Sequence, residues 1–352
     1  MMTERPALEA LSNPRSDRVK AVARLSGRSA RLRAGRFLVE GPQGVREAVA
    51  EHLAVSQRTA SQGTAGQQVA PGALRELYAT PEAADRYPEI LDDASDSGVW
   101  ARIVTDEVLA TMLAGAGTTT PQGLLAVCDL ITVSLDEVIA RRPKLVAVLS
   151  QVRDPGNAGT VIRAADAAGA DAVVLTDASV DVHNPKCVRS TAGSLFHLPV
   201  VAGVPLAEAV GQLRAAGLQI LAADGAGDHD LDDLADDAED RAVSSPATRS
   251  SPATRSSTET GPPAQVTVGA GATTTSSMAA PHLENPAAWV FGNEAWGLPQ
   301  DDRDLADAVV RVPVHGRAES LNLGTAATVC LYATARAQRR EERRFTKADR
   351  AV

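Results

Sequence analysis

From Pro143 onward the chain reads as short, wholly apolar runs set between helix-like stretches: LVAVLS (145–150), DAVVL (171–175), LPVVAGV (198–204), LQILAAD (218–224), AWVFG (288–292) and AVVRVPV (308–314). Runs of this length without polar alternation suit strands covered on both faces, and the helices between them supply the crossovers that a parallel sheet requires. The pattern predicts an α/β domain over 143–342 with its ligand site at the C-terminal ends of the strands. Over 10–130 the pattern is mixed: a basic helical stretch at 14–33, RFLVEG (36–41), a helix from Pro42, LRELYAT (74–80), VWARIV (99–104) and GLLAVCDL (123–130). We read this as a second, smaller α/β domain, interrupted by the polar loop SQRTASQGTAGQQVAPG (56–72). Over 236–285 the chain turns to Ser, Thr, Ala, Gly and Pro, with a tandem SSPATRSSPATR from Ser244 to Arg255. Such a composition cannot bury enough apolar surface to offset its ordering entropy, so the expectation is a disordered insertion inside the second domain.

Composition leaves room for two cores, since 44% of the 352 residues are hydrophobic. No run approaches the ~20 apolar residues that span a bilayer, and the N-terminal stretch mixes acids with bases and has no apolar centre. The expectation is a cytoplasmic protein with no membrane partner. Cys128, Cys187 and Cys330 lie far apart without C-x-x-C spacing, which argues against a disulfide framework and against a zinc site. The net charge of −9 hides an uneven distribution: residues 1–50 carry ten Arg or Lys against five acids, and 311–352 carry nine against four. Two basic ends on an acidic body can present a phosphate-binding surface, although charge alone favours solvated faces.

Three strand ends carry candidate chemistry. The first runs into DPGNAG, the fifth into FGNEAWGLP and the sixth into VPVHGRAESLNLG ahead of a last long helix. Each loop joins glycine, which lets backbone approach a ligand, to amide or carboxylate side chains.

Asn157-x-Gly159-x-x-x-Arg163, then Gly292-Asn293-Glu294-Ala295-Trp296-Gly297-Leu298, then Pro313 followed by Ser320-Leu321-Asn322 resemble, in order and type, the three motifs of the SpoU/TrmH family of RNA ribose 2'-O-methyltransferases. NPKCVRSTAGSLFHLPV (184–200) is similar to the family's segment between the first two motifs, and 13–49 resembles the substrate-binding domain of its rRNA-directed members. The resemblance implies a C-terminal parallel-sheet α/β domain tied into a trefoil knot, with S-adenosyl-L-methionine as cofactor. It also implies a homodimer, and RNA as partner, most specifically rRNA. By motif position Gly292, Val312 and Leu321 line the cofactor, while Asn157, Arg163, Glu294, Ser320 and Asn322 surround the reacting ribose.

A ribose hydroxyl is a poor nucleophile near neutral pH, whereas a sulfonium methyl already carries a good leaving group, so the protein has to supply alignment and a route for the proton. A charged guanidinium has no lone pair to take a proton, so Arg163 is better read as a fork for the neighbouring phosphate and the developing alkoxide. The proton then leaves through that phosphate, Glu294 or water. Taken singly, Asp154 and Asn157 also suit a helix cap, Ser320 suits a cap on the last helix, and Arg163 suits an ordinary surface. Neither Gly-Ala-Gly stretch completes a dinucleotide-binding loop, and Ser320 has no nucleophile-elbow context. His315 reads as structural, and an aromatic content of 3% gives no sign of base-stacking platforms. Two alternatives remain: methylation of tRNA ribose, and a non-catalytic RNA-binding factor on the same fold.

Overall fold

The computed structural model describes residues 10–61, 72–244 and 280–349. The first half holds α1 (Asp17–Arg24), α2 (Arg28–Ala34), β1 (Arg36–Glu40), α3 (Pro42–Ser61), β2 (Leu74–Ala79), α4 (Pro81–Arg86), α5 (Pro88–Asp96), β3 (Ala101–Ile103), α6 (Asp106–Leu113) and β4 (Leu124–Asp129). Its four strands form one sheet in the order β1-β4-β2-β3, with β4 antiparallel to both neighbours and β3 parallel to β2.

The second half holds α7 (Leu135–Ala140), β5 (Leu145–Leu149), α8 (Pro155–Ala168), β6 (Ala172–Thr176), α9 (Pro185–Ser190), β7 (Val200–Val204), α10 (Leu206–Ala215) and β8 (Gln219–Ala223). It continues with β9 (His229–Asp230), α11 (Leu231–Ser244), β10 (Ala287–Phe291), α12 (Gln300–Arg303), β11 (Ala308–Arg311) and α13 (Leu323–Asp349). Seven strands form a wholly parallel sheet in the order β7-β6-β5-β10-β8-β11-β9.

The apolar runs become strands because both faces of this sheet are covered. Leu145, Ala147 and Leu149 of β5 face one buried cluster and Val146 and Val148 the other. Strand β10 enters between β5 and β8, which sets Val290 opposite both Val148 and Ala222. Trp289 of this central strand is fully buried, and its indole N–H donates to the equally buried Thr334 hydroxyl at 2.9 Å, which satisfies the one polar atom of the ring. All strands being parallel, the loops after β5, β8, β10 and β11 emerge at one edge.

The two sheets are not independently cored. Phe37, Val39 and Leu77 of the first belong to the same buried cluster as Leu145, Ala147 and Trp289 of the second. Arg31 pins the junction: only 2% exposed, it reaches Asp181 at 2.6 Å and donates to the Leu25 and Ser26 carbonyls at 3.0 and 2.6 Å. The basic stretch at 14–33 is therefore two helices broken near Gly27, and one of its arginines serves the interior.

Two further expectations are corrected. Helix α3 runs to Ser61, into the stretch read as a polar loop. There Ser56 donates to the His52 carbonyl at 2.9 Å and Arg58 pairs with Glu51 at 3.1 Å, both within the helix; residues 62–71 lie outside the described ones. The insertion expected over 236–285 is narrower, because α11 continues to Ser244 and Leu283 is fully buried. Its acid-rich helix is held by Arg241 on Glu284 at 2.7 Å and by Arg340 on Glu239 at 2.7 Å. Residues 245–279, where the rest of that expectation falls, lie outside the described ones.

Candidate active site

The loop after β5 turns directly into α8. The Asp154 carboxylate accepts the Asn157 N–H at 2.9 Å and caps the helix, with Pro155 in the first turn where its missing N–H costs nothing. The Lys186 ammonium at 2.8 Å, together with that N–H, holds the Asp154 carboxyl below its ordinary range. Gly159 is required by packing: a Cβ there would stand 2.5 Å from the Ser190 Cβ and 2.6 Å from the Cys187 carbonyl oxygen, so α8 and α9 touch through it.

The loop after β10 folds back on itself. Asn293 and Gly297 exchange backbone hydrogen bonds of 3.0 and 2.8 Å, the Asn293 side chain donates to the Gln151 carbonyl at 2.9 Å, and its oxygen accepts the Ala295 N–H at 2.9 Å. This fixes the loop to the end of β5. Gly292 has no room for a side chain, since a Cβ would meet the Gly297 carbonyl oxygen at 2.4 Å.

The loop after β11 ends at Asn322, whose side-chain oxygen accepts the Gly324 N–H at 2.9 Å and so caps α13. Ser320 does not serve as that cap. Among the described residues, 313–321 make no backbone hydrogen bonds, which leaves a run of peptide groups open to a ligand.

The loops after β10 and β11, with the end of β8, enclose a cleft of about 600 Å³. Its walls include Gly292, Glu294, Val312, Ser320 and Leu321, and apolar Phe291 and Leu323. At its mouth Asn157 donates to Glu294 Oε1 at 2.7 Å and accepts from the Asn322 amide at 3.2 Å. Three residues far apart in sequence thus form one hydrogen-bonded chain. Arg163 does not join them: it is exposed, does not line the cleft, and makes no side-chain hydrogen bond or ion pair among the described residues. At 100° per residue it lies about 120° around α8 from Asn157. The sequence reading missed Asp224, Asn293, Arg311 and Glu319, which also line the cleft. The signal for Asp224 was its place at the C-terminal end of β8, on the edge where parallel sheets hold ligands.

His315, read as structural, is 81% exposed and faces Asp232 at 3.3 Å. The three cysteines are free and buried, and burial pushes the Cys187 thiol up to about 12. Among the described residues no His, Cys, Asp and Glu cluster could hold a metal, and no helix is long and apolar enough to cross a membrane.

A cleft of this size, with apolar walls, unpaired peptide groups and a glycine cradle that excludes side chains, suits a nucleoside-sized cofactor. Fold and site together define a two-sheet α/β enzyme with its chemistry at the carboxyl edge of a parallel sheet. The chain belongs to the SpoU rRNA Methylase family, whose model matches residues 144–244 and 253–332. Residues 16–126 match the MRM3-like substrate binding domain. The chain is 27% identical to the 23S rRNA (guanosine(2553)-2'-O)-methyltransferase RlmP of Bacillus subtilis, over 92% of this chain and 98% of the relative. It is also 27% identical to the 23S rRNA (uridine(2479)-2'-O)-methyltransferase of Streptomyces viridochromogenes, over 93% and 96%. The SpoU methyltransferase AviRb from Streptomyces viridochromogenes, solved in complex with the cofactor AdoMet, superposes with a TM-score of 0.59 at 26% identity, covering 91% of this chain and 98% of that one. An rRNA methyltransferase from Sinorhizobium meliloti shares the fold with a TM-score of 0.63 at 23% identity.

Proposed function

We propose that this chain transfers a methyl group from S-adenosyl-L-methionine to a ribose 2'-hydroxyl of ribosomal RNA. The observation that carries the reading is the Glu294–Asn157–Asn322 chain at the mouth of the cleft. When bound, the cofactor supplies an activated methyl on sulfur. Gly292, Val312 and Leu321 are the residues that would hold it, through open peptide groups and apolar contact. Asn157, itself held by the Asn322 amide, donates to one oxygen of the Glu294 carboxylate and leaves the other to receive the hydroxyl proton. Ser320 and Arg163 complete the set as ligands of the RNA, Arg163 through phosphate. Threading of the α13 segment into a trefoil knot belongs to this reading, as does a cytoplasmic location where ribosomal RNA is met.

RNA is held by the first domain. Arg24, Arg28 and Arg33 of the α1–α2 region are exposed and have no ion-pair partner among the described residues, unlike Arg31. Reversing all three to Glu is expected to weaken rRNA binding at least tenfold and to flatten its salt dependence by roughly two to three units of log–log slope. Cofactor affinity should not change. Filter binding over a salt series checks this, and an unaltered slope contradicts it.

We also propose a homodimer. Val329 and Tyr332 of α13 are 39% and 47% exposed, and the Tyr332 hydroxyl donates to the Ala167 carbonyl of α8 at 3.1 Å, one helical turn from Arg163. A second copy covering this face would bury the apolar pair and meet Arg163. Tyr332→Glu is expected to turn a dimer into a monomer by light scattering at micromolar concentration. A monomeric parent protein, or a dimeric variant, contradicts the proposal.

A further inference from the structure

Two of the three tryptophans are exposed, and one of them lies in the loop between Glu294 and Gly297, which line the cleft. Trp296 follows Glu294 by two residues in the loop after β10 and is 50% exposed, in contrast to the fully buried Trp289. The Arg153 guanidinium carbon lies 5.3 Å from the centre of its ring. Arg153 is itself exposed and has no carboxylate partner among the described residues, so its charge is braced only by the indole. The backbone of the loop that carries Trp296 is held by the Asn293–Gly297 exchange and by the bond from Asn293 to Gln151, which keeps the indole next to Glu294.

An exposed indole with a guanidinium on it is an arrangement that binds an unpaired nucleotide: bases stack on aromatic rings and on guanidinium planes, and the adjoining phosphate takes the positive charge. We propose that Trp296 and Arg153 form the clamp for an unpaired nucleotide at the target, with the base stacked on the indole, its phosphate on Arg153, and its ribose directed at Glu294. This rests on the proposed reaction and names the form of its substrate: the methylated nucleotide is presented single-stranded. Because every base has a π face, the clamp holds any base and leaves base identity to be read elsewhere.

The test is methyl transfer to protein-free 23S rRNA by Trp296→Ala, Trp296→Leu and Trp296→Phe. KM for RNA should rise about tenfold or more in the first two and return to within about threefold of the parent in Trp296→Phe, with cofactor affinity and melting temperature unchanged. Arg153→Lys keeps the charge but not the plane and should fall between. Equal KM for Trp296→Leu and Trp296→Phe, or an unchanged KM in Trp296→Ala, overturns the clamp. If the parent protein transfers no methyl to rRNA, the proposed reaction fails, and the clamp is then judged by fluorescence. Quenching of the parent by single-stranded oligoadenylate should be largely lost in Trp296→Phe, and quenching equal to the parent's would reject the clamp.

Discussion

Gly292→Ala is expected to raise the dissociation constant for S-adenosyl-L-methionine at least about a hundredfold, which is roughly 2.7 kcal/mol. The new methyl would stand 2.4 Å from the Gly297 carbonyl oxygen, 2.5 Å from its carbon and 2.7 Å from the Leu298 nitrogen. All three are backbone atoms, and the loop is locked by the two bonds between Asn293 and Gly297. No side chain can rotate away, so the loop itself must move. That movement displaces Gly292, Asn293 and Glu294 together, all of which line the cleft. Titration calorimetry measures the effect, and circular dichroism should show the fold retained. Affinity within threefold of the parent would show that this loop does not hold the cofactor.

The second large effect concerns Arg163, and it should have the opposite signature: about a hundredfold loss of kcat in Arg163→Ala with cofactor binding unchanged. Arg163 is exposed on α8, outside the cleft of its own chain. We therefore propose that it acts on the RNA or across the proposed dimer. Arg163→Lys keeps the charge but loses the fork that meets a phosphate with two donors, so it should recover little. Near-normal turnover by Arg163→Lys would show that a point charge suffices. Near-normal turnover by Arg163→Ala would remove Arg163 from the site. Mixed dimers of Arg163→Ala and Gly292→Ala subunits separate the two routes. Activity in the mixture means that Arg163 serves the neighbouring chain's cleft, and inactivity means that it serves its own.

The six apolar runs from 145 to 314 were legible as strands because a parallel sheet covered on both faces keeps polar residues to the ends of its strands, as at Thr176, Gln219 and Arg311. The loops of the site were legible for a related reason: glycines, amides and a carboxylate recur where those runs stop. What the sequence could not show depended on partners distant along the chain. Arg31 looks like its basic neighbours until Asp181, 150 positions away, takes it into the interior. The shared cluster around Phe37 and Leu145 likewise crosses the boundary that the change of pattern suggests. Polar composition misled over 56–61, because a helix can tie polar side chains such as Ser56 and Arg58 to its own turns and so have the composition of a loop. Two-residue β9 carries no periodicity at all, and it pairs with β11 through Val310 and Arg311. The aromatic content counted the rings but could not tell that Trp289 is buried while Trp296 faces solvent at the cleft.

The central claim is a methyl group placed on a ribose oxygen of ribosomal RNA, and alkaline digestion tests it directly. The protein is incubated with S-adenosyl-L-methionine labelled in its methyl group and with unmodified rRNA transcripts, and the RNA is then hydrolysed in alkali. Cleavage of each phosphodiester needs a free 2'-hydroxyl, so a 2'-O-methyl ribose protects the bond beside it. The account predicts label recovered in alkali-resistant dinucleotides, and none when Glu294→Gln replaces the parent protein. Label in mononucleotides, which would place the methyl on a base, or no incorporation by a protein that binds the cofactor, would contradict it.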